Sequence, residues 1–357
     1  MAITTIDSAG FEKLFRQFIR ESLNGKRTSA SGKRISDVTS NNYNNTLRIL
    51  LRFQSERKFQ LCLHLVHRVN HKDIKTLNVY WRNFMTELHL FLYHDNGYYD
   101  NYAGLILKCL KVFYNYLLKE KGMPIGQFHK RIFVPKEEVE FVVLSPEEVS
   151  FLTSDKKFES TLTDAEKIAK DIFVFGCTVG LRVSDLLNLR KHHLKMESNI
   201  PFLVLRTRKT DTAIRIQLPG YALEILKKYR STERLYLLPH FSNSWLNKKL
   251  KLLGNRLNSK TYIKTRHQRG KVVVVYKDGI RGKHFTFGDM ITSHTMRRTG
   301  ITNLLRLGVP EQIVRKFSGH SPGTKEFYRY VSIAESYMNS ELQKAFEQIA
   351  AKTTKKP

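Results

Sequence analysis

The chain has 357 residues, of which 41% are hydrophobic and 11% aromatic, which excludes wholesale disorder and makes two domains the expectation. Lys and Arg number 61 against 32 Asp and Glu, a formal charge of +29 within an ordinary 26% of charged residues, so the anomaly is one of sign and a polyanion, nucleic acid first, is the expected partner. No 18-residue apolar run, signal peptide or lipidation motif is present, which weakens the competing reading of a membrane-surface protein.

The N-terminal third reads helical. Phe11, Leu14, Phe15, Phe18 and Ile19 form one apolar stripe, Asn24-Gly25 ends it, and residues 25–36 are a basic Ser/Gly/Lys loop. Further helical patterns cover 39–56, 74–91 and 99–120, the last with Leu105, Leu107, Leu110, Val112, Phe113 and Tyr116. A helical domain over 1–122, a bundle of about four helices, is the economical solution. Residues 123–143, with Pro124, Gly126, Pro135 and a β-rich end at Phe141-Val142-Val143, have the composition of a linker.

A second domain is expected over 144–350. Ser145-Pro146-Glu147-Glu148 carries the residues of a capping box with proline in the first turn, and Thr163-Asp164-Ala165-Glu166 opens a second helix that runs through Phe173 to Cys177 and stops near Gly180. Between 201 and 219 the pattern becomes strand-like: Phe202-Leu203-Val204-Leu205, a polar turn, then Ile214, Ile216 and Leu218 in alternation. A second hairpin is expected from Val272–Tyr276 through Lys277-Asp278-Gly279 to Ile280. After Ser293 the chain is helical again, punctuated at Gly308 and Gly319, and residues 351–357 are a polar tail expected to fray. The fold class is α+β. Cys62, Cys109 and Cys177 have apolar neighbours and no zinc-like spacing, so they read as buried thiols of a cytosolic protein.

Four short segments carry chemically capable residues. In Thr178-Val179-Gly180-Leu181-Arg182-Val183-Ser184-Asp185-Leu186 a glycine ends one helix and Ser184 is a candidate cap for the next, leaving Arg182 at a helix N-terminus where an anion is favoured. Arg206-Thr207-Arg208-Lys209-Thr210 forms the tip of the first hairpin. In Ser293-His294-Thr295-Met296-Arg297-Arg298, His294 and Arg297 are three apart and share a helix face. The last segment runs from Phe317-Ser318-Gly319-His320 through Ser321-Pro322-Gly323 to Phe327-Tyr328-Arg329-Tyr330-Val331. Singly each has a bland reading: a surface arginine, a solubilising lysine, a structural histidine, two of sixteen tyrosines.

Together they fit attack on a phosphodiester, which needs a nucleophile, stabilisation of charge on two non-bridging oxygens and a proton donor for the leaving oxygen. Two arginines, two histidines, a lysine and a tyrosine supply this. The clustered carboxylates of a metal-dependent nuclease are not readable, and H-E-x-x-H and Walker A patterns are missing.

In order, Gly-Leu-Arg-x-Ser-Asp-Leu, a hairpin lysine, His-Thr-x-Arg-Arg, Gly-His and Tyr-Val over about 144–340 resemble the catalytic half of the tyrosine recombinase, or phage integrase, family, in particular the integrases of mobile elements. The resemblance implies the tyrosine recombinase fold: a helical core-binding, DNA-binding domain before a mixed, mainly helical catalytic domain with β-hairpins. It implies that Arg182 and Arg297 bind the scissile phosphate and that Lys209 protonates the leaving 5′-oxygen. His294 would relay the nucleophile's proton, His320 would hold the phosphate or the site's geometry, and Asp185 would orient its neighbours. A tyrosine would form a 3′-phosphotyrosyl bond, with no metal or cofactor. The implied partners are double-stranded DNA, gripped by a C-shaped two-domain clamp, and three further protomers in a synaptic tetramer, with accessory DNA-bending proteins. The implied location is cytoplasmic, at the nucleoid. Residues 259–284, with eight Lys or Arg against Asp278 alone, read as backbone-binding surface or as a solvated loop.

Two tyrosines lie within reach of His320, and a Pro322-Gly323 step is compatible with a one-residue insertion. Tyr330 is favoured, because Phe327, Tyr330, Val331 and Ala334 make an inward stripe while Tyr328 sides with Thr324, Lys325 and Ser332. Two other functions fit the same residues: a non-catalytic DNA-binding or architectural protein that keeps the fold for grip, and a relaxing topoisomerase of related type IB-like chemistry.

Overall fold

The structure, a computed structural model, describes residues 3–29, 32–67, 71–231, 235–321 and 323–353. It divides into two units, one of residues 1–139 with 264–275, the other of residues 140–263 with 276–357.

In the first unit helix α1 (Ser8–Leu23) starts on Asp7, whose carboxylate accepts the Gly10 N–H at 2.9 Å, and buries Phe11, Phe15, Phe18 and Ile19 as the stripe requires. Helix α2 (Asp37–Glu56) is capped by Ser36, and α3 (His71–His89) continues as a π-helical turn (Leu90–Asp95) before α4 (Asp100–Lys119). The core is a phenylalanine cluster: the rings of Phe15 and Phe113 lie 4.3 Å apart, with Phe11 and Phe18 edge-on to Phe113. Each such fully buried ring contributes roughly 1.5–3 kcal/mol. Arg27, only 7% exposed, forks onto Glu120 at 2.8 and 2.9 Å and lies over the rings of Phe18 and Tyr116. Strands β1 (Ile3–Ile6) and β2 (Leu63–Val66) pair antiparallel, Ile3 opposite Val66, and fasten the chain start to the α2–α3 connection.

The second unit opens with α5 (Pro146–Ser154), α6 (Lys156–Ser160) and α7 (Asp164–Val179). Both expected capping boxes form, Ser145 with Glu148 and Thr163 with Glu166. Helix α8 (Val183–Leu186) leads to an antiparallel sheet in the order β3 (Leu194–Glu197), β4 (Ile200–Arg206), β5 (Ala213–Gln217). Next come α9 (Gly220–Lys228), α10 (Asn243–Leu257) and the short strand β6 (Thr261–Tyr262).

The chain then leaves this unit. Strands β7 (Lys264–Gln268) and β8 (Lys271–Val275) form a hairpin that belongs to the first unit. The expected strand at Val272 is present, but its partner precedes it and the turn is Arg269-Gly270, not Lys277-Asp278-Gly279. The two turn residues have φ of 50° and 77°, the left-handed pair that a two-residue hairpin turn demands and that glycine supplies without strain. Asp100 and Glu137, both buried, hold the hairpin: Asp100 accepts the N–H groups of Arg269 and Gly270 at 2.7 and 3.0 Å, and Glu137 accepts the Arg266 guanidinium at 2.7 Å and the His267 N–H.

Back in the second unit, β9 (Phe285–Thr286) pairs with β6 and is followed by α11 (Phe287–Met290), α12 (Ser293–Arg306), α13 (Glu311–Ser318) and α14 (Lys325–Thr353). Helix α7, with Ile172, Phe173, Val174 and Phe175 buried, is the centre of the core. Helix α12 packs on it at Gly300, where any side chain would collide with the Cys177 carbonyl. The three cysteines are buried, and burial raises all three thiols above their ordinary range. Ala351 to Thr353 continue α14, and 354–357, the rest of the expected tail, lie outside the described residues. No helix among the described residues is long and apolar enough to cross a membrane.

Candidate active site

Helix α7 ends where its C-terminal carbonyls meet Gly180 in the left-handed region, φ 59°, and a Cβ there would come within 2.5 Å of the Phe317 ring. Two residues on, Arg182 is itself the N-cap of α8, and Ser184 sits inside that helix instead of capping it. Arg182 is half-buried, and its Nη1 meets no acceptor among the described residues. A buried guanidinium nitrogen without an acceptor is costly unless a ligand completes it.

Asp185, 4% exposed, accepts the Arg208 N–H at 3.1 Å and so ties α8 to the β4–β5 turn. Thr207 organises that turn. Its Oγ1 accepts the Thr212 N–H at 3.1 Å and lies 2.8 Å from Thr210 Oγ1, while its carbonyl accepts the Asp211 N–H at 2.8 Å. Lys209 is exposed at the tip.

Helix α12 presents His294 and Arg297 on one face, as their spacing requires. Arg297 is 3% exposed, and its Nη1 donates to the Gly180 carbonyl at 2.9 Å. Its Nη2 lies 3.2 Å from Nε2 of His320. Burial and the charge of Arg182 push Arg297 down to about 10, with Tyr330 and Asp185 opposing, so it stays charged at neutral pH. His294 keeps an exposed face, so desolvation is partial. Desolvation lowers its pKa, and the positive charges of Arg298, Arg297, Arg182 and Lys209 lower it further.

His320 follows Gly319, the left-handed C-cap of α13, and its N–H donates to the Arg315 carbonyl at 3.0 Å. Ser318 Oγ lies 2.7 Å from both the Val314 carbonyl and His320 Nδ1. A hydroxyl has one proton, and the carbonyl takes it, so Nδ1 must donate to Oγ. That assigns the tautomer, with the Nε2 lone pair facing Arg297. Burial first, then Arg297, Arg182 and Arg315, push His320 down to about 3, so it is neutral.

On α14 the stripe forms as expected. Phe327 and Ala334 are buried, and Tyr330 and Val331 are partly so, with Phe327, Tyr330 and Val331 against Ile301 and Val314. The Tyr330 ring lies 5.9 Å from the His320 ring, whereas Tyr328 is 53% exposed with the Arg315 guanidinium 5.0 Å from its ring centroid. Pro322, of the Pro322-Gly323 step, lies outside the described residues. Arg297, His320 and Tyr330 thus come together from α12, the α13 terminus and α14, and the charges of Arg182 at α8 and of Lys209 on the β4–β5 turn act on His294 of α12. Two further residues join them that motif reading assigned no role: Arg298, whose guanidinium lies 4.1 Å from the Phe141 ring centroid, and Phe141 itself, edge-on to Tyr330. The doubled arginine was a visible signal, but a lone linker phenylalanine gave none.

The profile of the phage integrase family matches residues 152–336 of the chain. No curated protein matches by overall sequence. Among solved structures the fold is similar to the XerH site-specific recombinase bound to palindromic difH substrate, a post-cleavage complex, with TM-score 0.58, 13% identity and 93% of each chain covered. It is also similar to a lambda integrase dimer bound to a COC′ core site, with TM-score 0.57, 13% identity and coverage of 92% of this chain and 77% of that one. A lambda integrase tetramer bound to a Holliday junction matches with TM-score 0.55, 15% identity, 92% of this chain and 78% of that one.

Proposed function

The chain belongs to the phage integrase family and is a site-specific DNA recombinase, and we propose that it cuts and rejoins duplex DNA through a 3′-phosphotyrosyl bond to Tyr330. The observation that carries this reading is the chain of contacts from Gly180 through Arg297 to His320 and on to the Tyr330 ring, beside an Arg182 nitrogen that meets no acceptor among the described residues.

Arg182 and Arg297 take the two non-bridging oxygens of the scissile phosphate, as planar forked donors suit. His294, kept neutral by desolvation and the surrounding cations, accepts the phenol proton as the Tyr330 oxygen bonds to phosphorus. The bond to the 5′-oxygen breaks, and Lys209 supplies that oxygen's proton. His320 braces Arg297. The phosphotyrosyl bond keeps the phosphodiester's free energy, so a 5′-hydroxyl reverses the steps without ATP. Asp185 positions Lys209 through the Arg208 backbone.

Residues 1–122 are proposed as the core-binding domain, with the basic hairpin at 264–275 of the same unit as a further backbone contact, and residues 144–350 apart from that hairpin as the catalytic domain. Double-stranded DNA is the substrate. The lambda integrase dimer on a core site and tetramer on a Holliday junction support assembly of protomers on DNA, proposed here as a synaptic tetramer aided by DNA-bending proteins at the nucleoid.

The test uses DNA flanking the chain's own gene, first to map junctions and then as a nicked suicide substrate. Tyr330→Phe should abolish protein–DNA adducts on a denaturing gel while Tyr328→Phe retains them, with peptide mapping of the adduct at Tyr330. Adducts that survive in Tyr330→Phe and vanish in Tyr328→Phe would reverse the assignment.

A further inference from the structure

Phe141 lies in the segment that leads into α5 and is fixed along α12. Its neighbours Val142 and Leu144 are buried, and the Leu144 N–H donates to Thr299 Oγ1 at 3.1 Å. Its ring meets the Tyr330 ring edge to face, centroids 6.1 Å apart at 61°. The Arg298 guanidinium lies 4.1 Å from the Phe141 centroid and that of Arg329 lies 5.1 Å from it. Two like charges beside one phenol repel each other, and an aromatic face within reach of both offsets that repulsion.

The doubled arginine explains the division of labour. Consecutive residues on a helix point about 100° apart. Arg297 turns to Gly180 and His320, and Arg298 turns to Phe141. Burial lowers the pKa of both guanidiniums, and in each the Tyr330 hydroxyl opposes that shift.

We propose that Phe141 is a positioning residue of the recombination site: its ring seats Arg298 against Tyr330, so that two guanidiniums hold the phenol oxygen and share its charge as the proton leaves. The inference rests on Tyr330 being the nucleophile. Phe141 touches neither phosphate nor leaving group in this reading and acts through Arg298.

The experiment measures single-turnover adduct formation by the full-length protein on the nicked suicide substrate. Phe141→Leu should slow it by roughly ten- to a hundredfold, as slight misplacement of a reacting group does, with DNA affinity and thermal midpoint unchanged. Phe141→Tyr, which keeps the ring, should restore the rate. Arg298→Gln should match Phe141→Leu, and the double variant should be no slower than the slower single, because both remove one interaction. Equal rates for Phe141→Leu and wild type, equal rates for Leu and Tyr at 141, or effects that multiply in the double variant would each overturn the proposal. Should Phe141→Leu unfold, Arg298→Lys against Arg298→Gln decides: lysine keeps a cation for the ring and recovers activity, and equal loss in both refutes the platform. Tyr330→Phe runs alongside. Adducts persisting there defeat the nucleophile assignment and this inference with it, whereas their loss beside an indifferent Phe141→Leu defeats this inference alone.

Discussion

Arg297 donates to the carbonyl of Gly180 at 2.9 Å, and through that bond the end of α7 sets the position of the α12 arginine proposed to bind the phosphate. The same guanidinium reaches His320 with another nitrogen. Lysine has one nitrogen and cannot hold the carbonyl, the histidine and a phosphate in fixed directions. Arg297→Lys should therefore lower adduct formation by roughly 10²–10³-fold, the loss seen when one preorganised donor is removed. DNA affinity, which rests on many phosphates, should hardly change. A variant within about threefold of wild type in single-turnover cleavage would show that charge alone suffices there.

Asp185 and Lys209 should fail at the same chemical step. Lys209→Ala removes the proposed proton donor and should slow cleavage by about 10²–10⁴-fold. Asp185→Ala releases the Arg208 backbone and lets the tip wander, with a smaller loss. Sulfur at the 5′-bridging position leaves without a proton, so that substrate should recover most of both losses. Equal impairment of Lys209→Ala on oxygen and sulfur substrates would remove lysine from the acid role.

Acid should weaken the fold before carboxylates titrate. Burial, then Lys130 and Lys111, holds His129 at about 4, and His320 sits at about 3, both below the ordinary value near 6.5. Between about pH 6.5 and those values the unfolded chain binds protons that the folded chain refuses, so stability rises with pH and is lost as pH falls through that window. The urea midpoint, read from Trp81 fluorescence in a Trp245→Phe background, should be lower at about pH 5 than at about pH 7.5. His129→Gln should flatten that difference, and an unchanged slope in that variant would exclude His129 as a contributor.

Affinity for duplex DNA should fall steeply with salt. If six to ten phosphates are neutralised, roughly 10³–10⁵ in affinity is lost between about 50 and 200 mM salt. Lys264→Ala together with Lys271→Ala, on the hairpin, should reduce the slope of log affinity against log salt by up to about two. A slope unaffected by the pair would make that hairpin a solvated one.

The helices were legible because their signals are local. The apolar stripe of α1, the two capping boxes and the glycines after α7 and α13 each act within a few residues, and the structure follows them closely. The six candidate site residues are legible as a set because their chemistry fits one reaction, and of them the structure puts Arg297, His320 and Tyr330 in contact, from three elements. What escaped depends on distant partners. Four residues at Ile3–Ile6 say nothing of Leu63–Val66, and the strand at Val272 pairs with the segment before it although Lys-Asp-Gly after it looks more like a turn than Arg-Gly does. Phe141 has no pattern at all, since its meaning comes from Arg298 and Tyr330.

The hairpin at 264–275 has a consequence for how the protein is made. Synthesis reaches Val139 long before the ribosome delivers Val275, yet both lie in the first unit. At about 5–20 residues per second, the buried carboxylates of Asp100 and Glu137 wait on the order of ten seconds for the amides and guanidinium that they are built to hold. Ordinarily the N-terminal part of a chain finishes folding first. Here it is completed only after most of the second unit has left the ribosome, and a message truncated before codon 266 would yield an N-terminal unit whose two buried carboxylates lack their counterparts.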